Sequence, residues 1–319
     1  MAFTDGNMNL LTRQELWSAQ LKDVFQDDLN ATQWVRQLTE FPDGDTFTIP
    51  SIGEATVRDY VEDTDVGFDA MDTGEFQFTI TEYLSSGTYI TDKQMQDSFY
   101  SSQLISQFVP KQRRALEEKY ETDVLALANS QTLSDNNSIN GAEHRWAAGG
   151  TSQNLALDDF ARAKYGLKKA NVPLSNLVAI VDPSVGYELE TLTNLVNVSN
   201  NPQWEGIITS GLTTGMRFIK NVYGFDVWES NYLPTSTETI NTPADASIDF
   251  SSGNTPVVNI FFNAENAITP FIGAWRQMPR VEALRNAIRQ RDEYITTARY
   301  GLALYRPENL VSVVSRINV

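Results

Sequence analysis

The chain has no cysteine among its 319 residues and a single histidine, His144. Without cysteine there are no disulfides and no thiolate ligands, and with one histidine the usual zinc sites and any Cys-His dyad are excluded. A serine triad would have to recruit His144, and no Gly-x-Ser-x-Gly elbow is present to expose the serine. His144 stands beside Glu143 and near Trp146 in a stretch rich in Asn and Gly, and reads as an incidental loop residue. Long apolar runs are also missing. None approaches the ~20 residues of a membrane span, and the N-terminus lacks a basic segment followed by an apolar core, so no membrane or secretory role is expected.

Other chemistries fail on spacing. Gly211-Leu-Thr-Thr-Gly215 lacks the Lys-Ser/Thr that completes a phosphate loop. The run Asp63-Thr-Asp65-Val-Gly67-Phe-Asp69 lacks a third ligand before its glycine, and Gly74 stands where a calcium loop needs Glu. No carboxylate pair is singled out for glycoside hydrolysis. The sequence therefore carries no expected catalytic residue, cofactor or metal ligand.

Basic residues are few: 24 Lys and Arg against 41 Asp and Glu give a net charge of −17. That argues against tight phosphate binding by the chain as a whole. The imbalance is local. Twelve acids lie between Asp43 and Asp92 with one base, Arg58, while Arg276 to Arg316 holds eight arginines against four acids. Lys111, Arg113, Arg114 and Lys119 form a second basic patch.

What is present has clear periodicity. Thr91 to Asn129 predicts one long helix, with Met95, Phe99, Ile105, Phe108, Leu116, Tyr120, Val124 and Leu127 at helical spacing and a bend at Pro110. Residues 12–41 predict one or two amphipathic helices broken near Asn30. From Thr46 the period becomes two, and 46–90 predicts a two- or three-stranded excursion with Phe76, Phe78 and Ile80 on one face. Such an excursion buries little of itself and needs something beneath it. Further along, 130–152 reads as a loop and Leu155–Ala170 as a helix. Residues 177–182 read as a strand, and Pro183 opens a helix to about Leu195. Residues 206–262 are β-rich, with a loop at 235–256 and a buried strand at 257–262. Residues 264–275 predict a small-residue helix or turn, 276–294 irregular to helical structure, and the remainder two strands around Arg306-Pro307-Glu308. The class is α+β.

The order of these segments carries a resemblance: GDTFTIPSIGE, the acidic excursion, ITDKQMQD, RRALEEKYETDVLALA, KKANVP before VAIVDP, GFDVWESNYLP and YGLALYRPENLVSVV. Over about Glu15 to Val314 it resembles the major capsid proteins of tailed bacteriophages, which share the HK97-type fold. The resemblance implies an N-arm (1–45), an extended E-loop (46–90), a P-domain with a long spine helix (91–182 and 276–319) and an axial A-domain (183–275). It implies hexamers and pentamers in an icosahedral shell around double-stranded DNA, held only by weak non-specific proximity. A portal and assembly in the host bacterial cytoplasm are also implied.

On this reading Asp59, Glu62, Asp63, Asp65, Asp69, Asp72 and Glu75 of the E-loop would meet a neighbour's basic patches at Lys111, Arg113, Arg114, Lys119, Arg280, Arg285, Arg289 and Arg291. Pro110 would mark the spine-helix bend. Founding members crosslink through an E-loop lysine, but Asp23 to Asp92 contains none, so no such bond is expected. The body begins near Glu15 without the long scaffolding extension of some relatives, so a separate scaffolding protein is expected. An encapsulin-type shell and, from another class, an acidic hydrolase are the rival readings.

Overall fold

The computed structural model describes residues 29, 31–38, 46–52, 57, 59, 62–63, 65, 73–97, 101–130, 138–191, 218–244, 246–251 and 256–317. In chain order the strands and helices are β1 (Arg36–Gln37), β2 (Thr46–Ile52), β3 (Thr73–Thr79), β4 (Glu82–Thr91), α1 (Asp92–Asp97), α2 (Ser101–Ala126), β5 (Ser138–Ile139), β6 (Ala142–Glu143) and β7 (Arg145–Ala147). There follow α3 (Leu157–Lys169), β8 (Leu177–Val181), α4 (Pro183–Thr191), β9 (Phe218–Val222), β10 (Phe225–Glu229), β11 (Thr239–Asn241) and β12 (Ser247–Asp249). The last four are β13 (Pro256–Asn263), β14 (Phe271–Asn286), β15 (Arg291–Leu304) and β16 (Leu310–Arg316).

The body is a six-stranded mixed sheet in the order β7-β16-β13-β8-β10-β9. β8 and β13 are buried at every position, as continuous apolar runs covered on both faces should be. Alternation along each strand divides the core in two. Phe261, Val311 and Val313 pack with Phe160, Ala163 and Leu167 of α3. Ile260, Phe262, Leu310 and Val314 face the other way, toward Tyr120, Val124 and Leu125 of α2. The apolar C-terminal strand thus returns to the core sheet, as its sequence predicts.

A second, four-stranded sheet runs β1-β14-β15-β4. α2 lies against it through Thr296, whose hydroxyl donates to Gln112 Oε1 at 3.1 Å. Tyr300 adds a hydrogen bond to Asp123 Oδ2 at 2.6 Å. Burial and the Asp123 carboxylate raise the Tyr300 phenol well above its ordinary value, so it stays a donor.

Several expectations are corrected. Thr91 ends β4, and the helix begins at Asp92. It is described in two pieces, α1 and α2, with 98–100 outside the described residues. Pro110 lies inside α2, as expected of a proline within one helix. Residues 31–38 are not helical at their end: a 3-10 turn at Ala31–Trp34 leads into β1, which pairs parallel with Ile272 and Gly273. The helical spacing of Trp34, Val35 and Leu38 yields to tertiary anchoring, because Glu121 of α2 accepts the Ala31 N–H at 2.8 and 2.9 Å. The supposed loop at 235–256 contains the β11–β12 hairpin.

Residues 264–270 form the expected turn, and the largest correction is 271–294. Val281, Leu284 and Ile288 lie at helical spacing among good helix formers, yet the segment forms β14, a turn, and the start of β15, paired from Phe271↔Leu304 to Asn286↔Arg291. The strand leaves these three side chains exposed, but its backbone completes the long-range ladder with β15.

Candidate intersubunit interface

β2 and β3 form the predicted excursion, paired from Thr46↔Thr79 to Ile52↔Thr73. Its root is fixed to the body. Phe78 and Ile80 are buried with Ile272 and Ala274, and Phe76 meets Tyr305 edge-on at 5.1 Å. Gly301 allows this approach, since a Cβ there would come within 2.8 Å of the Thr79 carbonyl. β4 does not belong to the excursion: it pairs with β15 along its whole length.

The acidic far part is solvated where it is described. Asp59, Glu62, Asp63, Asp65 and Glu75 are exposed, whereas Asp69 and Asp72 lie outside the described residues.

The basic residues are already engaged within the chain. On α2, Arg113 pairs with Glu117 at 3.0 Å and Arg114 with Glu118 at 3.4 Å. Lys119 pairs with Asp123 in the same i,i+4 pattern, and Lys111 also has an interaction partner. On the β14–β15 ribbon, Arg285 grips Asp92 with two bonds of 2.6 and 2.7 Å and reaches Asp292 at 3.0 Å. That bonding holds the Asp92 carboxyl below its usual range. Arg291 bonds Glu293 at 2.6 Å and lies 4.4 Å from the centre of the Tyr89 ring. Its bond, then that of Asn286, lowers the Glu293 carboxyl. Arg280 lies 3.4 Å from Glu282, and the Arg289 charge also acts on Glu293. Excess positive charge therefore does not by itself mark a seat.

Shape does better. A groove of about 600 Å³ opens between α2 and β14, lined by Leu29, Thr32, Arg113, Arg114, Glu117, Tyr120, Trp275, Met278 and Pro279. Its floor is rigid: Tyr120 stacks on Trp275 at 4.6 Å and meets Tyr300 edge-on at 4.9 Å. Gln37 of β1 donates to the Tyr120 hydroxyl at 2.9 Å. The structure thus brings Arg113 and Arg114 together at one concave surface and leaves Arg280, Arg285, Arg289 and Arg291 on the ribbon.

Sequence reasoning missed three buried polar sites. Arg145 is 1 % exposed and pairs with Glu238 of the strand region near β11, while also donating to Ala128 O at 3.2 Å and Ser312 Oγ at 2.9 Å. Asp159 accepts from Trp146 Nε1 at 3.1 Å and from the Ala156 N–H at 2.8 Å. Its place in the first turn of α3 was the legible signal. His144 is not a loop residue: it is buried between β6 and β7, its Nδ1 is 3.0 Å from Ala142 O, and its Nε2 has no hydrogen-bond partner. Desolvation lowers its pKa, with the Ala142 and Glu308 backbones opposing, so the ring is neutral. Among the described residues no His/Cys/Asp/Glu cluster could hold a metal, and no helix is long and apolar enough to cross a membrane.

With this geometry in place, comparison with known families is decisive. A family model described as phage capsid protein matches residues 73–313. The chain belongs to the phage capsid protein family. No curated protein is a match. Among solved structures, one from Mycobacterium phage Che8 is similar with a TM-score of 0.69 at 19 % identity, over 95 % of this chain and 97 % of that one. The capsid structure of the cyanophage P-SCSP1u gives 0.69 at 16 % identity, over 95 % and 92 %. The acidic stable capsid of Helicobacter pylori bacteriophage KHP30 gives 0.68 at 10 % identity, over 99 % of each. At these identities the likeness is one of fold, the HK97-type fold. This phage capsid protein is a structural component of the virion shell, where it assembles with copies of itself.

Proposed function

We propose that this capsid protein builds the phage head as hexamers and pentamers, the acidic β2–β3 excursion of one copy lying in the α2–β14 groove of its neighbour. One observation supports this most strongly. Among its described residues the excursion buries only its root, its described acidic positions are all exposed, and the groove presents Arg113 and Arg114 above an aromatic floor. Each exposed ion pair contributes only ~0–1 kcal/mol, so charge sets register and salt sensitivity while aromatic and strand contacts hold the seat. Many such contacts sum through multivalency.

In this reading 1–45 is the N-arm, 46–90 the E-loop together with its return strand β4 on β15, 91–182 with 276–319 the P-domain, and 183–275 the A-domain. The protein has no catalytic role. Assembly takes place in the host bacterial cytoplasm with a separate scaffolding protein and a portal, and the DNA inside is held by weak non-specific proximity. Pro110 within α2 is the bend that shifts on maturation, so normal shell expansion by P110A would remove that role. The test of the whole reading is co-expression with a candidate scaffold followed by negative-stain imaging. Shells tens of nanometres across are expected, and they should be lost in R113E/R114E. A monodisperse monomer under all conditions would overturn it.

A further inference from the structure

β14 is an edge strand over most of its length. β1 covers it only at Ile272 and Gly273, and among the described residues no strand lies beside the rest. Every residue from Arg280 to Arg285 is exposed, although the strand carries Val281 (40 % exposed) and Leu284 (59 %), and Ile288 (96 %) stands at the turn. Bare edges of this kind template pairing with another chain, and bulges are one way of blocking them. Here the irregularities fall between Trp275 and Arg280. From Arg280 to Asn286 the ladder to β15 is regular.

The faces of this stretch are defined. Val281 lies opposite Thr296, which is buried against Gln112 of α2, so Val281, Ala283 and Arg285 share the α2 face. Arg280, Glu282 and Leu284 share the outer face. We infer that this edge pairs antiparallel with the same edge of a second copy, across a two-fold axis at Val281. The inference rests on the shell-forming role above, but concerns a contact distinct from the groove.

The register follows from charge. About Val281, Arg280 of each copy lies directly opposite Glu282 of the other, and Val281 meets Val281. Centring on Arg280 or on Glu282 sets like charges face to face, which is destabilising. Centring on Ala283 or Leu284 leaves both charged residues without an opposite charge across the axis. Within Arg280–Leu284 only the Val281 register is self-complementary. The Arg280–Glu282 pair already formed along the strand, at 3.4 Å, becomes half of a four-membered charge square.

The absence of cysteine makes the test direct. Facing residues of an antiparallel pair have Cα atoms about 4.5–5.5 Å apart, within disulfide range, whereas diagonal neighbours at about 7–8 Å are not. Shells built from V281C and treated with a mild oxidant should yield disulfide dimers on a non-reducing gel. R280C alone and E282C alone should not, and co-assembled R280C and E282C should. As an independent arm, R280E should lower shell yield about tenfold by placing like charges opposite, and R280E/E282R should restore it. Wild-type shells together with V281C shells that stay monomeric under oxidant, or with a double swap that fails to rescue, would overturn the inference while leaving the shell-forming role intact. Crosslinking of Val281 to the excursion of another copy would overturn it in favour of that occupant. If the wild type forms no shells, it is the shell-forming role that fails.

Discussion

Two strands of this capsid protein, joined by seven residues, have opposite fates. β13 is buried at all eight positions, while β14 from Arg280 to Arg285 is exposed at all six. β13 carries no charged residue, whereas three of the six residues from Arg280 to Arg285 are charged. The first is sandwiched between α3 and α2, and the second is an open edge of its sheet among the described residues. The difference separates what the subunit needs to fold from what it keeps for assembly. The same division recurs in the β2–β3 excursion, whose root at Phe78 and Ile80 is core and whose acidic part is solvated.

The contrast can be broken by substitution. Phe261→Ala removes a ring packed between Phe160 and Phe225 and should cost about 3–5 kcal/mol in urea unfolding of the unassembled subunit. Leu284→Ala on the ribbon should stay within about 0.5 kcal/mol. Arg145→Met strands Glu238, which is only 16 % exposed, and should cost about 3–5 kcal/mol. Equal effects in body and ribbon would erase the distinction.

A smaller effect is expected where the two regions join. At Gly273 an added Cβ would lie 2.9 Å from Val35, 3.0 Å from Leu302 and 3.2 Å from the Tyr120 hydroxyl. Gly273→Ala should therefore cost about 1–3 kcal/mol through overpacking, read as a lowered urea midpoint. It should also loosen β1 from β14.

In the body the pH response centres on His144 and Asp159. The unfolded His144 ring takes up a proton near pH 6.5, and the buried ring only at lower pH. Its contribution is thus fully present above 6.5 and is lost as pH falls below it. Burial raises Asp159 above its ordinary 3.8 and acts in the opposite sense as pH rises. The informative readout is therefore the variant, not the bare profile: His144→Asn should flatten the stability slope below about pH 6.5. Smallest of all, Arg285→Met should leave unassembled stability nearly unchanged, because the Arg285–Asp92 pair is open to solvent.

The body was largely legible in the sequence. The buried runs at 177–181 and 257–262, the dipole-matched helix α3 and the Pro183 start all form as their local patterns require. The ribbon was not, because Val281, Leu284 and Ile288 carry a helical spacing that only a long-range ladder overrides. His144 and Arg145 were hidden for a related reason: their Asn- and Gly-rich surroundings read as loop, while β16, which packs beside both, is far away in sequence. Charge runs located the acidic excursion. They could not show that Arg285 and Arg291 already serve their own chain, since Asp92 is 193 residues from Arg285.

The measurement that bears most directly on this division is amide hydrogen exchange, compared between unassembled subunits and shells. Amides of 256–263 should be protected in both states. Those of 280–286 that point away from β15 should exchange quickly in the subunit and become protected in the shell. Ribbon amides that exchange at the same rate in both states would contradict the account.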